Sequence, residues 1–122
     1  MKSLLSLIIS VLFLLVACKK NTVGGNAVVK GTVAHHSKSI ANARVYVKYG
    51  TNDFPGADTT KYDYTFMVDN TGTFSQNFFK GNYYLYAIGF DYSIVPPFTV
   101  KGGIPVTLRT NEELDKTIAV TE

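Results

Sequence analysis

The sequence predicts an all-β protein, an antiparallel β-sandwich of seven to eight strands. Three observations support this prediction. From Ala27 onward, apolar residues do not recur at helical spacing over three turns. Short alternating runs rich in Val, Tyr, Phe and Thr occur instead, separated by Gly, Pro, Asn and Asp. A chain of 122 residues, 46% of them hydrophobic, is long enough for one domain with its own core and too short for two.

The predicted strands follow one another at short spacing, which is typical of a sandwich or a barrel. Successive side chains of a strand face opposite sides of a sheet, so Val45, Val47 and Leu85 are expected in the core. Tyr83 is also expected to face inward, beside a corner where its hydroxyl would bond a backbone group. The predicted ranges are 27–33, 43–49, 62–68, 73–79, 83–90, 97–100, 106–109 and 116–121.

Residues that favour turns separate these strands. Asp-Asn-Thr-Gly at 69–72 offers Asx side chains and a glycine for positive φ, and it predicts a tight hairpin. Lys-Gly-Asn at 80–82 predicts a second hairpin, and Gly-Gly at 102–103 predicts a further turn. Pro-Pro at 96–97 cannot donate to a ladder, so the chain there is expected at an edge or a crossing between sheets. The longest connection spans 50–61.

The N-terminus has a positive charge at Lys2 and then an apolar stretch at 4–17 that is too short to cross a bilayer. This pattern is typical of a secretory signal peptide. Leu-Val-Ala-Cys at 15–18 resembles the lipobox of bacterial lipoproteins, whose cysteine takes diacylglycerol as a thioether. The resemblance implies a lipoprotein signal peptide at 1–17 and lipidation of Cys18. The alternative is that Cys18 ends an ordinary signal peptide or caps a buried helix.

The expected partner of the chain is therefore a membrane, held through covalent lipid on Cys18. Segment 18–26 is polar and contains Gly-Gly, so we expect it to be the lipidated cysteine and a flexible tether. The residue after the cysteine is Lys19. In Gram-negative lipoproteins an aspartate at this position signals retention in the inner membrane. By resemblance to Gram-negative lipoproteins this implies the outer membrane, with the periplasmic and surface leaflets both open.

Charge and cysteine content exclude several other classes of protein. The net charge of +3 gives no electrostatic case for a nucleic-acid partner. A single cysteine excludes a disulfide framework and the common zinc clusters.

Four short motifs occur in order along the chain and together resemble the carboxypeptidase regulatory-like family. Its members are transthyretin-like (prealbumin-like) β-sandwiches. The resemblance covers about 28–90 and implies one such domain over 27–122. The motifs are Gly-Thr-Val at 31–33, Ile-Ala-Asn-Ala-Arg-Val-Tyr-Val at 40–47, Gly-Thr-Phe at 72–74 and Gly-Asn-Tyr-Tyr-Leu at 81–85.

The transthyretin-like fold also includes a hydrolase that acts on hydroxyisourate and ends in Tyr-Arg-Gly-Ser. This chain has Ile-Ala-Val-Thr-Glu at 118–122, which argues against that activity. Neither a Gly-x-Ser-x-Gly elbow nor a phosphate-binding glycine loop occurs in the sequence. We expect no enzyme activity, no catalytic residue and no cofactor.

His35 and His36 are the residues that most suggest a metal site. Neighbours on a strand face opposite ways, so the two rings would share a metal only within a loop. The family resemblance places them in the loop between the first two strands. We expect an ordinary exposed pair and no metal.

Aromatic residues are abundant, with 8 Tyr and 8 Phe. If alternate residues of 83–90 face the core, Tyr84, Tyr86 and Phe90 face outward, and Tyr46 faces the same way on another strand. This row predicts a binding face for a partner protein or a glycan. The alternative is that another strand, the C-terminal tail or the 50–61 connection covers the row.

These features together favour a lipid-anchored bacterial envelope protein with a non-enzymatic structural or binding role. A first alternative is an accessory glycan- or nutrient-binding lipoprotein beside an outer-membrane importer. A second is a small transthyretin-like hydrolase, which would need His35 or His36 to meet a polar cluster in a pocket.

Overall fold

The computed structural model describes residues 22–122, which form eight β-strands and one 3-10 turn, Thr59–Lys61. The predicted signal peptide and Cys18 lie outside the described residues. Within the described part, no helix has the length and apolar character needed to cross a bilayer. The strands are β1 (Val23–His35), β2 (Lys38–Ser39), β3 (Arg44–Tyr49), β4 (Tyr64–Met67), β5 (Thr73–Phe78), β6 (Gly81–Phe90), β7 (Thr99–Leu108) and β8 (Glu113–Ala119).

The strands form two sheets, and the predicted all-β sandwich is confirmed. In the first sheet β1 pairs antiparallel with β5 and with the short β2, and parallel with β8. The second sheet has the order β4-β3-β6-β7, and all its pairs are antiparallel. The one parallel pair forms because the chain completes the second sheet at β7 before it returns to lie beside β1.

The core consists of the alternate side chains that face between the two sheets. Val45 and Val47 of β3 and Leu85 of β6 are fully buried, as predicted from the alternation. Val29 and Val33 of β1 close the core from the opposite sheet. Burial of each such aliphatic side chain stabilises the fold by about 1.5–3 kcal/mol.

The two predicted hairpins at 69–72 and 80–82 are wrong, because each segment joins strands of different sheets. Asp69 stabilises the first crossing: its carboxylate accepts the backbone N–H groups of Thr71 at 2.9 Å and Thr73 at 3.0 Å. The Thr71 hydroxyl, together with Thr73, holds the pKa of Asp69 well below its usual range. The turn residues therefore specify a reversal of the chain without specifying which sheet follows.

The glycines at 102–103 lie inside β7, so the turn predicted there is wrong. The segments 97–100 and 106–109 were predicted as separate strands, but β7 pairs continuously with β6 from Thr99 to Leu108. Pro-Pro at 96–97 lies in the loop that joins these two strands of one sheet, which corrects the predicted crossing.

The first strand begins earlier than predicted. β1 starts at Val23, which pairs with Phe78 of β5. Residues 23–26, predicted as part of the tether, therefore belong to the sandwich.

The chain after β8 joins the first sheet to the edge of the second. The backbone N–H of Thr121 donates to the Lys101 carbonyl at 2.9 Å, and the N–H of Lys101 donates back at 2.8 Å. A side chain at Gly102 would overlap the backbone carbonyl oxygen of Ala119. Glycine at this position allows the two sheets to approach, and the contact places Thr121 and Glu122 beside β7.

Tyr83 fastens the corner between β5 and β6 from inside the core. Its side chain is fully buried, and its hydroxyl donates to the Phe79 carbonyl at 2.6 Å. The Thr22 carbonyl lies 3.1 Å from the same hydroxyl. The predicted corner role of Tyr83 is confirmed. Burial, with Tyr49 nearby, raises the pKa of Tyr83 to about 12.

Tyr83→Phe should lower the free energy of unfolding by about 1–2 kcal/mol at pH 7, because the Phe79 carbonyl loses its hydrogen-bond donor. Urea denaturation followed by circular dichroism measures the change. Tyr92→Phe is the matched control, since the Tyr92 side chain is 74% exposed. Equal stability changes in the two variants would contradict the corner role.

The same variant should also change how stability depends on pH. An unfolded tyrosine ionises near pH 10, whereas native Tyr83 ionises near 12, so the native state retains the proton more tightly. The contribution of Tyr83 is complete below pH 10 and is lost as the pH rises towards 12. The decrease in stability over this window should be smaller in Tyr83→Phe than in the unmodified protein.

Candidate functional site

The outer face of the second sheet carries the aromatic row predicted from the sequence. Tyr84 and Tyr86 alternate outward on β6, and Tyr46 of β3 lies directly opposite Tyr86 in the strand register. Tyr86 is nevertheless only 4% exposed. Another part of the chain therefore packs over this face.

The connection between β3 and β4 covers the middle of the aromatic row. Its Tyr62 stacks on Tyr86 with ring centroids 5.7 Å apart and contacts Tyr46 at 5.9 Å. Its Phe54 packs against Tyr84 at 5.5 Å and against Tyr86 at 5.4 Å. The alternative that the 50–61 connection covers the row is thus confirmed for Tyr86, on which Phe54 packs. Tyr46 is contacted by Tyr62, which was predicted to begin the strand at 62–68 but precedes β4.

Side-chain hydrogen bonds fix this connection at both ends. The Asn52 amide donates to the carbonyls of Tyr83 at 3.2 Å and Val106 at 3.1 Å, which belong to the paired strands β6 and β7. At the other end, the Asp63 carboxylate accepts the Tyr49 N–H at 2.8 Å. The position of Phe54 over the sheet is therefore set by contacts on either side of it.

The clustered tyrosines keep their protons over the physiological pH range. Burial, followed by the proximity of Tyr86 and Tyr84, raises the pKa of Tyr62 to about 12. Burial also raises the pKa of Tyr84 and of Tyr86. The phenolic groups of Tyr62, Tyr84 and Tyr86 therefore keep their protons, so each can donate a hydrogen bond as well as accept one.

An open cleft of about 360 Å³ lies between Phe54 and the chain that follows β8. Phe54 is 54% exposed and forms one wall. The aromatic residues offer flat apolar surface, and Lys101, Thr121 and Glu122 are the polar residues of the lining. Such a surface suits a ligand that has both C–H faces and hydroxyl groups. The cleft is lined by Phe54, Tyr84, Tyr86, Lys101, Gly102, Gly103, Thr121 and Glu122.

Gly103 allows the Tyr84 ring to lie across β7 at the floor of the cleft. A Cβ at this position would lie 2.5 Å from Cε1 and 2.9 Å from Oη of Tyr84. The same Cβ would lie 2.7 Å from the carbonyl oxygen of Leu85. Any larger residue must therefore displace the ring.

Phe90 does not share the cleft with the other predicted residues. It is 54% exposed at the end of β6 and stacks with Tyr92 at a centroid distance of 6.2 Å. Tyr92 in turn contacts Phe98 at 5.2 Å. Of the four predicted face residues, Tyr84 and Tyr86 line the cleft, Tyr46 lies beneath Tyr62, and Phe90 belongs to a separate exposed cluster.

Several residues of the cleft were not predicted from the sequence. Phe54 lies in the long connection between β3 and β4. A residue outside a strand has no alternation that would predict which surface it contacts. Lys101 and Gly103 were not assigned to a strand, because a turn was predicted at 102–103. Thr121 and Glu122 reach the cleft only through the sheet-to-sheet bridge at Lys101.

His35 is not the exposed loop residue that was expected. β1 continues through His35, whose side chain points inward and is 3% exposed. Its Nδ1 lies 2.7 Å from Oδ2 of the equally buried Asp91, which was not singled out in the sequence. Asp91 also accepts hydrogen bonds from Lys38 at 3.0 Å and from the Ser93 hydroxyl at 2.5 Å. His36 remains exposed, as expected.

His35 thus meets the polar cluster that the hydrolase alternative requires, but the cluster is not arranged as a nucleophile and its base. The Ser93 hydroxyl donates to Asp91, whereas a serine nucleophile would face the imidazole. Within residues 22–122, no hydroxyl group is hydrogen-bonded to the His35 ring. The arrangement can orient the imidazole without activating a hydroxyl.

Comparison with known proteins shows similarity at the level of fold. The sequence matches no known family profile, and no curated protein is significantly similar to it. A DUF3823 family protein from Parabacteroides merdae has a TM-score of 0.52 and 18% identity, over 80% of this chain and 47% of that one. A proposed carbohydrate-binding protein from Pseudomonas aeruginosa has a TM-score of 0.53 and 14% identity, over 85% and 93%. The chain thus shares its β-rich fold with bacterial proteins, and it spans about half the length of the first.

Gly103→Ala should destabilise the protein by about 1–3 kcal/mol, because the new methyl group overlaps the Tyr84 ring. The penalty should shrink when Tyr84→Ala removes that ring, although the contact with the Leu85 carbonyl remains. Denaturation of the four proteins in this double-mutant cycle measures the coupling. An equal cost of Gly103→Ala in both backgrounds would show that the ring does not depend on the glycine.

Proposed function

We propose that this protein is a lipid-anchored, non-enzymatic protein of the bacterial envelope that binds a glycan in the aromatic cleft. The observation that carries the binding role is the half-exposed Phe54 ring beside Tyr84, in a cleft whose lining also includes the polar residues Lys101 and Thr121. Sugar rings have apolar C–H faces that pack on aromatic rings and hydroxyl groups that bond polar side chains.

The build of the cleft supports recognition of a ligand rather than chemical attack on it. Tyr86 is buried beneath Phe54 and Tyr62, so the aromatic wall is held in place before any ligand arrives. A preformed wall reduces the conformational entropy lost on binding. The fold similarity to a proposed carbohydrate-binding protein of Pseudomonas aeruginosa agrees with this role.

The anchor is proposed from the lipobox that ends at Cys18. An acyl chain contributes about 0.8 kcal/mol per buried CH₂ group, and stable anchoring takes two membrane-binding signals, as two acyl chains provide. An outer-membrane location and an accessory role beside an importer are the finer parts of this proposal. The outer-membrane location rests on Lys19 after the cysteine, and the accessory role rests on the proposed glycan-binding cleft.

Replacement of Phe54 and Tyr84 by alanine should weaken glycan binding by about tenfold or more, because these rings form the accessible aromatic wall. The probes are neutral polysaccharides, namely starch, xylan and mannan, in affinity electrophoresis, together with a glycan array. Tyr86 is left intact, since removal of its 4% exposed ring would disturb the packing of the connection above it.

The matched control replaces Phe90 and Tyr92 by alanine, which removes two exposed rings from the separate cluster. This variant should bind as the unmodified protein does, with thermal unfolding recorded for both variants. The proposal fails if no probe binds, or if the control and the cleft variant lose binding equally.

Cys18→Ser should release the protein from the membrane fraction of an expressing Gram-negative cell. The unmodified chain should yield an N-terminal peptide whose mass includes a diacylglyceryl group on Cys18. Lys20→Ala is the control, and it should stay in the membrane fraction. An unmodified thiol at Cys18 in the mature protein would remove the anchor from the proposal and leave the cleft unaffected.

A further inference from the structure

The buried pair of His35 and Asp91 leaves one imidazole nitrogen facing other potential metal ligands. Nδ1 is engaged by Asp91 at 2.7 Å, while Nε2 lies 3.7 Å from Oε1 of Glu122. The His36 ring lies beside the His35 ring, with centroids 4.2 Å apart. Two imidazoles and a carboxylate therefore converge at the end of β1.

Backbone geometry explains why the two adjacent histidines meet. His36 and Ser37 have positive φ values of 47° and 71° and form the two-residue turn between β1 and β2. This left-handed turn brings the His36 ring back towards His35, whereas an extended strand would direct the rings to opposite faces.

The chain after β8 delivers the carboxylate. The Val120 N–H donates to the Ala34 carbonyl at 2.9 Å, which extends the pairing with β1 to the residue before His35. Glu122 follows two residues later, with its side chain 64% exposed. The exposed side chains of Glu122 and His36 can therefore rotate, while Asp91 fixes the ring of His35 through Nδ1.

Asp91 prepares His35 for coordination. Its carboxylate forms an ion pair with the Lys38 ammonium at 3.0 Å and accepts the backbone N–H of Ser93 at 3.0 Å, while its Oδ2 lies 2.7 Å from Nδ1 of His35. An ionised carboxylate accepts hydrogen bonds only, hence the proton on Nδ1 belongs to His35. A neutral ring in this tautomer presents the lone pair of Nε2, which is the usual arrangement of a metal-binding histidine with a carboxylate behind it.

We propose that His35, His36 and Glu122 bind a divalent transition-metal ion of the Zn²⁺ class, with Asp91 as the positioning residue. The three ligand atoms already lie within 4.8 Å of one another. Tetrahedral zinc with bonds of about 2.0–2.2 Å needs ligand atoms about 3.3–3.6 Å apart. Rotation of the exposed side chains of His36 and Glu122 would bring the ligand atoms to this separation. Two histidines and one carboxylate leave a fourth position for water or another ligand.

The competing explanation is that the His35–Asp91 pair only fastens the β6–β7 loop to β1. That role needs neither His36 nor Glu122, and it makes no use of Nε2. A metal site instead requires all three ligands and favours ions that accept imidazole over Mg²⁺ and Ca²⁺, which prefer oxygen ligands.

The test is a Zn²⁺ titration of the purified full-length protein, made without a histidine tag, by isothermal titration calorimetry. The unmodified protein should bind one Zn²⁺, and excess Mg²⁺ or Ca²⁺ should not compete. His36→Asn and Glu122→Gln should each weaken the affinity at least 10–100-fold, about the loss known for changes one step further from a metal. Asparagine tolerates the left-handed backbone at position 36, so the turn is kept.

Matched controls separate the loss of a ligand from a general effect of the substitution. Ser37→Asn changes the same turn, and Glu113→Gln removes an exposed carboxylate that pairs with Lys30. Both should bind Zn²⁺ as the unmodified protein does. Failure of the unmodified protein to bind Zn²⁺, or unchanged affinity in either His36→Asn or Glu122→Gln, would overturn the three-ligand site.

Asp91→Asn tests the positioning role, with an expected 10–100-fold loss of affinity. This variant loses a buried charge and is at risk of unfolding. A second measurement of the positioning role therefore uses the imidazole ¹⁵N signals of the unmodified protein. These signals should show the proton of His35 on Nδ1, and Zn²⁺ should shift the signal of Nε2. A proton found on Nε2 alone, or a His35 signal that Zn²⁺ does not move, would contradict the assignment.

Discussion

Two backbone hydrogen bonds between Lys101 and Thr121 join the chain that follows β8 to the edge strand β7. They matter because β8 belongs to the first sheet and β7 to the second, so the bond pair closes the sandwich along one side. Glycine at position 102 makes this approach sterically feasible, since a Cβ there would overlap the Ala119 carbonyl oxygen. This closure places Thr121 beside the cleft and the Glu122 carboxylate near His35.

Some rings of the aromatic face hold the β3–β4 connection in place, and others are accessible to a ligand. Tyr86 and Tyr62 stack within the covered part of the face, where they hold the β3–β4 connection against the sheet. Phe54 and Tyr84 stand at the margin of that contact, beside the open cleft. A surface that is rigid beneath and apolar on top is suited to flat ligands, since little conformational entropy remains to be lost.

The sequence allowed correct prediction of the faces of the strands but not of how the strands are connected. Alternation has a period of two, so the inward positions of Val45, Val47 and Leu85 followed directly. The turn at 69–72 was recognised from its residue types, yet those types carry no information on which sheet the next strand joins. Gly102 and Gly103 were predicted to form a turn, because glycine pairs are common in turns. Here they are glycines because the Ala119 backbone approaches Gly102 and the Tyr84 ring approaches Gly103.

His35 shows a second limit of sequence reasoning. The strand predicted at 27–33 stopped two residues too early, which moved His35 from the inner face into a loop. Its partner Asp91 lies 56 residues further along the chain, and no local pattern connects the two. The surroundings of Glu122 were equally hidden, because they depend on the contact between the two sheets.

The early start of β1 has a consequence for the anchor proposed at Cys18. Only residues 19–22 separate Cys18 from the strand, and a segment of this length spans at most about 17 Å when fully extended. A β-bulge interrupts β1 between Val23 and Ala27, and from Ala27 the strand continues for about 30 Å to His35, through the middle of its sheet. The turn at 36–37 therefore lies at the opposite end of β1 from the proposed anchor.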